Sequence, residues 1–174
     1  MIYDLVKDTD PILHQPCQQF DFKDPPMDPF ELARNLKETM IAKRGVGLSA
    51  NQVGIPYKVF VIGDPNDPEN ILPVFNPRIT FQNEDEVLIE EGCLSYPGMF
   101  IKIKRPSVVR ARYAVPDGSI QGDVFEGIPA RVFLHEYDHM EGVTFTSKAS
   151  RLRLQQAKKQ KVKLDRIRER NMRG

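Results

Sequence analysis

The chain has 174 residues, 40% of them hydrophobic and 28% charged, a balance that fits one globular domain able to bury a core. No apolar run approaches the roughly 18 residues needed to span a bilayer. The opening Met1-Ile2-Tyr3-Asp4 lacks the basic-then-apolar order of a signal peptide, so a cytoplasmic protein without membrane contact is expected. Two cysteines, Cys17 and Cys93, are too few for a disulfide framework. The net charge of +1 hides an asymmetry. Residues 146–174 hold eleven Lys/Arg and two Asp/Glu, a net +9, while the other 145 residues hold 14 basic and 22 acidic side chains, a net −8.

The first 26 residues read as irregular, with Pro11, Pro16, Pro25 and Pro26. A helix is predicted from Asp28, a good N-cap, with Pro29 at the first turn and Glu31 completing a capping box. Phe30, Ala33, Leu36 and Met40 give its apolar stripe, and Gly45 is the expected stop. Six short runs then read as strands: 57–62, 74–81, 86–90, 100–104, 107–113 and 119–125. In the fourth, Phe100, Lys102 and Lys104 alternate with Ile101 and Ile103, which predicts one wet face. A second helix is predicted over 129–141 and a charged third over 150–172. Strands flanked by helices, without βαβ alternation, point to an α+β fold.

The informative segment is His135-Glu136-Tyr137-Asp138-His139. On a helix, H-E-x-x-H brings two imidazoles to one face, where both reach one metal ion, and sets a glutamate beside them as a general base. At about 100° per residue, Arg131, Val132, His135, Glu136, Asp138 and His139 share one side. Phe133, Leu134, Tyr137 and Met140 share the other, which is strongly apolar. The polar side must therefore look into a cleft or a buried site, because uncompensated buried charge is costly.

A catalytic site of this type needs a third protein ligand. No histidine follows His139, and His14 lies upstream in an irregular stretch, where it reads as a surface or packing residue. Cys17 reads as a small buried apolar residue. Cys93, at a glycine where a strand ends, completes a Cys-His-His set that by itself suits zinc. The loop Gly45-Val46-Gly47-Leu48-Ser49-Ala50-Asn51-Gln52 admits a close backbone approach, and Gln52 adds a neutral donor. It lacks the Lys-Ser/Thr ending of a phosphate-binding loop. Three readings stand at this level: an amide hydrolase, a zinc peptidase for larger peptides, and a metal-stabilised binding module. A closed structural site would need four protein ligands.

The three segments, in this order, resemble the G-x-G-L-(A/S)-A-x-Q, E-G-C-x-S and H-E-x-D-H motifs of the peptide deformylase family. The resemblance runs to about residue 147. It implies antiparallel β-sheets packed around a central helix that carries H-E-x-x-H. It implies a catalytic domain over 1–147 and a basic C-terminal helix over 148–174 within the same single domain. The implied reaction is metal-dependent removal of the formyl group from N-formylmethionyl nascent chains, with release of formate. The implied ligands are Cys93, His135 and His139, the implied base is Glu136, and Gln52 and the Leu94 N–H would polarise the formyl oxygen. The implied ion is Fe2+, with Zn2+, Ni2+ or Co2+ able to occupy the same site.

Val46, Gly47, Leu48, Ile89, Tyr96, Ile128 and Val132 are the expected substrate-binding residues, with the backbone around Gly47 pairing to an extended peptide. Asp138 is expected to pair with Arg105 near Glu91 in support of the ligands. Three positions depart from the usual pattern: Ser49 for alanine, Leu134 for glutamine, and Arg131 for an apolar residue, expected at the rim of the methionine pocket. The basic tail is expected to dock on ribosomal RNA, with Leu152, Leu154, Ala157, Leu164 and Ile167 packing it back on the domain.

Overall fold

A computed structural model describes the backbone of residues 1–173 and the side chains through Met172. The elements are α1 (Pro29–Ala42), β1 (Gly47–Ser49), β2 (Val59–Ile62), β3 (Leu72–Gln82), β4 (Glu86–Gly92), β5 (Phe100–Pro106), β6 (Val108–Ala114), β7 (Ile120–Glu126), α2 (Ile128–Met140), α3 (Phe145–Lys148) and α4 (Arg151–Arg173). The six expected strands are present as β2 to β7, with ends shifted by at most two residues.

Helix α1 begins as its sequence dictates, with the Asp28 carboxylate accepting from the Glu31 N–H at 2.8 Å. Its end differs from expectation. The left-handed residue is Arg44, at φ 57°, and the Gly45 N–H closes the turn on Met40 O at 2.9 Å. Gly45 instead lies close under Leu94, where a Cβ would be 2.7 Å from Cδ1 and the leucine would have to shift.

Five antiparallel strands form one sheet in the order β1-β2-β3-β6-β7, and β4 and β5 form a separate hairpin. Strand β2 is buried on both faces. Val59 and Val61 join α1 in one core, while Phe60 and Ile62 join α2 in another. Alternation along a strand thus separates the two helices onto opposite sides of the sheet. The hairpin β4–β5 packs its Ile101 and Ile103 against Phe145, Leu154 and Ala157, with Phe100, Lys102 and Lys104 facing water. Helix α2 runs between the two sheets and contacts β1, β2, β5, β6 and β7.

The start of the chain passes under the C-terminal end of α2. The Cys17 N–H donates to Met140 O at 2.8 Å. Gly142, at φ 71°, leaves room for this crossing, since a Cβ there would lie 2.6 Å from the Gln15 carbonyl carbon.

Helix α4 keeps only part of its expected contact. Leu154 and Ala157 pack on the hairpin, but Leu152, Leu164 and Ile167 are exposed. The covered stripe follows Leu154, Ala157, Lys161 and Asp165 at helical spacing, so the other three apolar residues fall to its sides.

Candidate active site

Helix α2 is buried on nearly every side. Phe133, Leu134 and Met140 fill the sheet-side core, and Arg131, His135, Glu136 and His139 are also less than a tenth exposed. The polar residues look into a cleft closed by the hairpin. The ligand-type atoms of Cys93, His135 and His139 lie within 4.8 Å of one another. Cys93 Sγ is 3.4 Å from His139 Nε2.

Around this cluster lies a buried charged network. Glu91 Oε2 is 3.0 Å from His135 Nδ1, which leaves the other ring nitrogen of His135 for the cleft. Glu91 also accepts from Arg105 Nε at 2.5 Å and from Arg131 Nη1 at 2.7 Å. Arg105 Nη1 donates to Asp138 at 2.7 Å, so the expected Asp138–Arg105–Glu91 set is assembled. Burial works to raise the Glu91 pKa, but the hydrogen bonds from His135 and Arg105 outweigh it and hold the carboxyl down at about 2.

Arg131 touches the cleft, as expected, and also joins this network. It turns inward to Glu91, to Ile103 O at 2.9 Å and to Val87 O at 2.5 Å. A buried carboxylate facing a histidine needs cationic partners, and Arg131 is one of them.

The glycine-rich loop forms β1, too short and glycine-rich to show strand alternation in the sequence. A Cβ on Gly47 would collide with Glu136 Oε1 and lie 2.9 Å from Val132 Cγ1. Ser49, expected to be inconsequential, donates its hydroxyl to Glu136 Oε2 at 2.5 Å. Burial pushes the Glu136 carboxyl upward, opposed by His135 and by this hydroxyl. A carboxyl raised in this way suits proton transfer near neutral pH. Gln52 accepts from the Ser49 N–H at 2.9 Å, and its Nε2 is 3.0 Å from Ser95 Oγ and 3.5 Å from Cys93 Sγ. Asn51, which the sequence reading passed over, donates to His139 O at 2.8 Å and fixes the end of the ligand helix.

A cavity of about 490 Å³ opens beside the cluster. Val46, Gly47, Ile89, Tyr96, Ile128 and Val132 line it, together with Gln52, Leu94, Cys93, His135 and Glu136. Leu48 does not. Alternation along β1 turns its side chain into the α1 core, where it is fully buried. Met99 and Phe100 also line the cavity. The turn Tyr96-Pro97-Gly98, three residues past Cys93, was the available sequence signal for this wall.

The residues fit a transition-metal ion. Sulfur plus two imidazoles is a soft-to-borderline donor set. Cys93 and Glu91 outweigh burial and raise the His135 pKa to about 10, so this corner attracts positive charge, and an ion bound there would replace the proton. His139 is driven the other way, by burial and then by the positive charge of His135, so its imidazole is neutral and its lone pair free to bind.

The sequence model of the family described as Polypeptide deformylase matches residues 2–155. The chain belongs to this family. The peptide deformylase of Cytophaga hutchinsonii is 39% identical over 158 residues, covering 88% of this chain and 85% of its relative. That of Maricaulis maris is 34% identical over 98% of both chains. The crystal structure of a peptide deformylase from Legionella pneumophila superposes with a TM-score of 0.86 at 29% identity, over 98% of this chain and 99% of the other. A class I type b peptide deformylase from Acinetobacter baumannii, solved with Met-Ala-Ser bound, gives 0.78 at 29% identity, over 85% and 98%. Peptide deformylases are metal-dependent hydrolases that remove the N-formyl group from nascent polypeptides, and this is the activity of the chain. Among the described residues no helix is long and apolar enough to cross a membrane.

Proposed function

We propose that Cys93, His135 and His139 hold one ion, that Glu136 is the general base, and that Gln52 and the Leu94 N–H receive the developing oxyanion of a formylmethionyl peptide. The observation that carries this reading is the convergence of three ligand-type atoms within 4.8 Å beside a buried glutamate and an open cavity. An ion held there would supply Lewis-acid polarisation of the formyl oxygen and would acidify a water near pH 7. Glu136 is placed to take a proton from the attacking water and to hand it to the leaving amine. Its reach into the cavity is supported by Gly47, where no side chain intervenes, and its orientation by Ser49. Gln52 is held by Ser49 and Ser95 with its amide toward Cys93, the posture of a donor waiting for an oxyanion.

The substrate lies extended along β1, with the methionine side chain among Val46, Ile89, Tyr96, Ile128 and Val132. Support comes from the edge of β1, which among the described residues pairs with β2 alone, and from the apolar lining of the cavity. The Met-Ala-Ser complex of the Acinetobacter relative is consistent with a peptide beginning in methionine. Fe2+ is the proposed native ion, with Zn2+, Ni2+ and Co2+ able to take the same donors. The catalytic part is assigned to 1–147 and the basic helix to 148–174, within one domain, supported by the seating of Leu154 and Ala157 on the hairpin. Action in the cytoplasm follows from where nascent chains arise.

The same basic helix is proposed to dock on ribosomal RNA. Its exposed Lys158, Lys159, Lys163, Arg166 and Arg170 support this. Formate release from formyl-Met-Ala-Ser, measured after loading with each ion in turn, tests the central assignment. Absence of release with every ion would reject it. Truncation after Ser147 should weaken ribosome binding while tripeptide turnover stays nearly intact.

A further inference from the structure

The part of the chain before the basic tail is acidic, yet three of its five exposed arginines meet on one surface. They are Arg78, Arg110 and Arg112, and the other two are Arg34 and Arg44. Register explains the gathering. Arg78 on β3 lies directly opposite Arg112 on β6, and Arg110, two residues along β6, points to the same face opposite Phe81. The other face of β6 carries Val109, Ala111 and Tyr113 into the α2 core, so the arginine face is the outward one. On β7 the same face continues with Gly122 and the half-exposed Val124.

A like-charged pair directly across two strands is unfavourable for the fold. No ion pair among the described residues relieves it. Among the described residues none of the three arginines has a carboxylate within 4 Å, and Glu126, opposite Val108, is the acid that β6 and β7 place on this face. The Arg110 guanidinium instead lies over the Phe81 ring, 5.8 Å from its centroid, and Phe81 is 49% exposed. Residues two apart along a strand stand about 6.6 Å apart. The surface is therefore a row of unneutralised, planar phosphate-type donors beside an exposed aromatic ring. Guanidinium forks match phosphate oxygens in pairs, and an arginine plane or an aromatic ring accepts a stacked base.

We propose that the outward face of β3, β6 and β7 binds single-stranded RNA, with Arg78, Arg110 and Arg112 on phosphates and the Arg110–Phe81 pair stacking a base. This surface belongs to the five-stranded sheet and is separate from α4, which packs on the hairpin. It does not depend on the hydrolytic reading, because none of the four residues lines the cavity.

The test uses the full chain and a fluorescent 20-nucleotide single-stranded RNA of mixed sequence, with affinity read by anisotropy across a salt series. Three proteins are compared: wild type, the triple variant Arg78→Gln/Arg110→Gln/Arg112→Gln, and an α4 variant with Lys158, Lys159, Lys163 and Arg166 changed to Gln. The triple variant should bind at least about tenfold more weakly, with its salt slope lowered by about two, as expected for three lost phosphate contacts on a single strand. Phe81→Ser should weaken binding and leave the slope unchanged. Turnover of a formylated tripeptide should stay at the wild-type level in the triple variant, which reports its fold. If that variant does not fold, Arg112→Gln alone should lower the slope by about 0.7. The α4 variant should retain the contribution of the sheet face. Unchanged RNA affinity in the triple variant, or complete loss of RNA binding in the α4 variant, would overturn the proposal. So would a triple variant that keeps RNA binding but loses binding to polyglutamate or to anionic lipid vesicles.

Discussion

In α2 the charged side chains are inside, and in α4 they are outside. Arg131, Glu136 and the ligand-type histidines are each under a tenth exposed, whereas Lys158, Lys159, Lys163 and Arg166 stand in water. Both helices repeat every 3.6 residues. The difference is what faces them. Helix α2 lies between two sheets, so Arg131 and Asp138 are met by Glu91 and Arg105 on the hairpin strands, and Glu136 by the Ser49 hydroxyl on β1. Helix α4 touches one hairpin, so its charges need no partner. Charge buried in a network costs stability when any member is removed, and charge in water costs little.

The contrast can be broken most strongly at Glu136. Glu136→Ala should lower turnover of formyl-Met-Ala-Ser by on the order of 10³-fold while the ion content stays near one per chain. Retention of a tenth of the activity would contradict the assignment. The next effect is on the network itself. Glu91→Ala leaves Arg105 and Arg131 buried with partners missing and should cost about 3–5 kcal/mol in urea unfolding. A loss below about 1 kcal/mol would mean that the network is not a unit.

The two cysteines sharpen the same contrast. Cys93→Ala should strip most of the bound ion, measured by elemental analysis after gel filtration, and Cys17→Ala should not. Burial pushes the Cys17 thiol up to about 11, so in the native protein it should resist iodoacetamide at pH 8. On α4 the effects shrink. Leu154→Ala, at the edge of the hairpin core, should cost about 1–2 kcal/mol. Lys161→Ala, which removes the half-exposed pair with Asp165, should change stability by less than about 0.5 kcal/mol. A larger effect at Lys161 than at Leu154 would reverse the picture of α4.

Much of this was legible in the sequence because it is local. The Asp28 cap, the i,i+4 histidines and the apolar back face of α2 each depend on residues within two turns. The six longer strands announce themselves by alternation. What stayed hidden depends on register. The inward turn of Arg131 requires knowing that β4 and β5 bring Glu91 and Arg105 beneath α2. Leu48 was misassigned because a three-residue strand gives no period from which to read its face. Ser49 looked neutral in sequence, since its importance lies in the distance from its hydroxyl to a carboxylate 87 positions away. The opposition of Arg78 and Arg112 was invisible for the same reason, and is complicated by the register shifts of β3.

The crossing of the N-terminal segment beneath α2 has a consequence for the birth of the molecule. Cys17 is 122 positions from His139, yet the two are in contact, and Gly142 must slide past Gln15 for α2 to seat. Contacts so distant along the chain carry a large loop-closure cost and slow folding. During synthesis residues 15–17 emerge well before their partners at 139–142. The seating of α2 on the N-terminal segment therefore waits for the residues that follow His139.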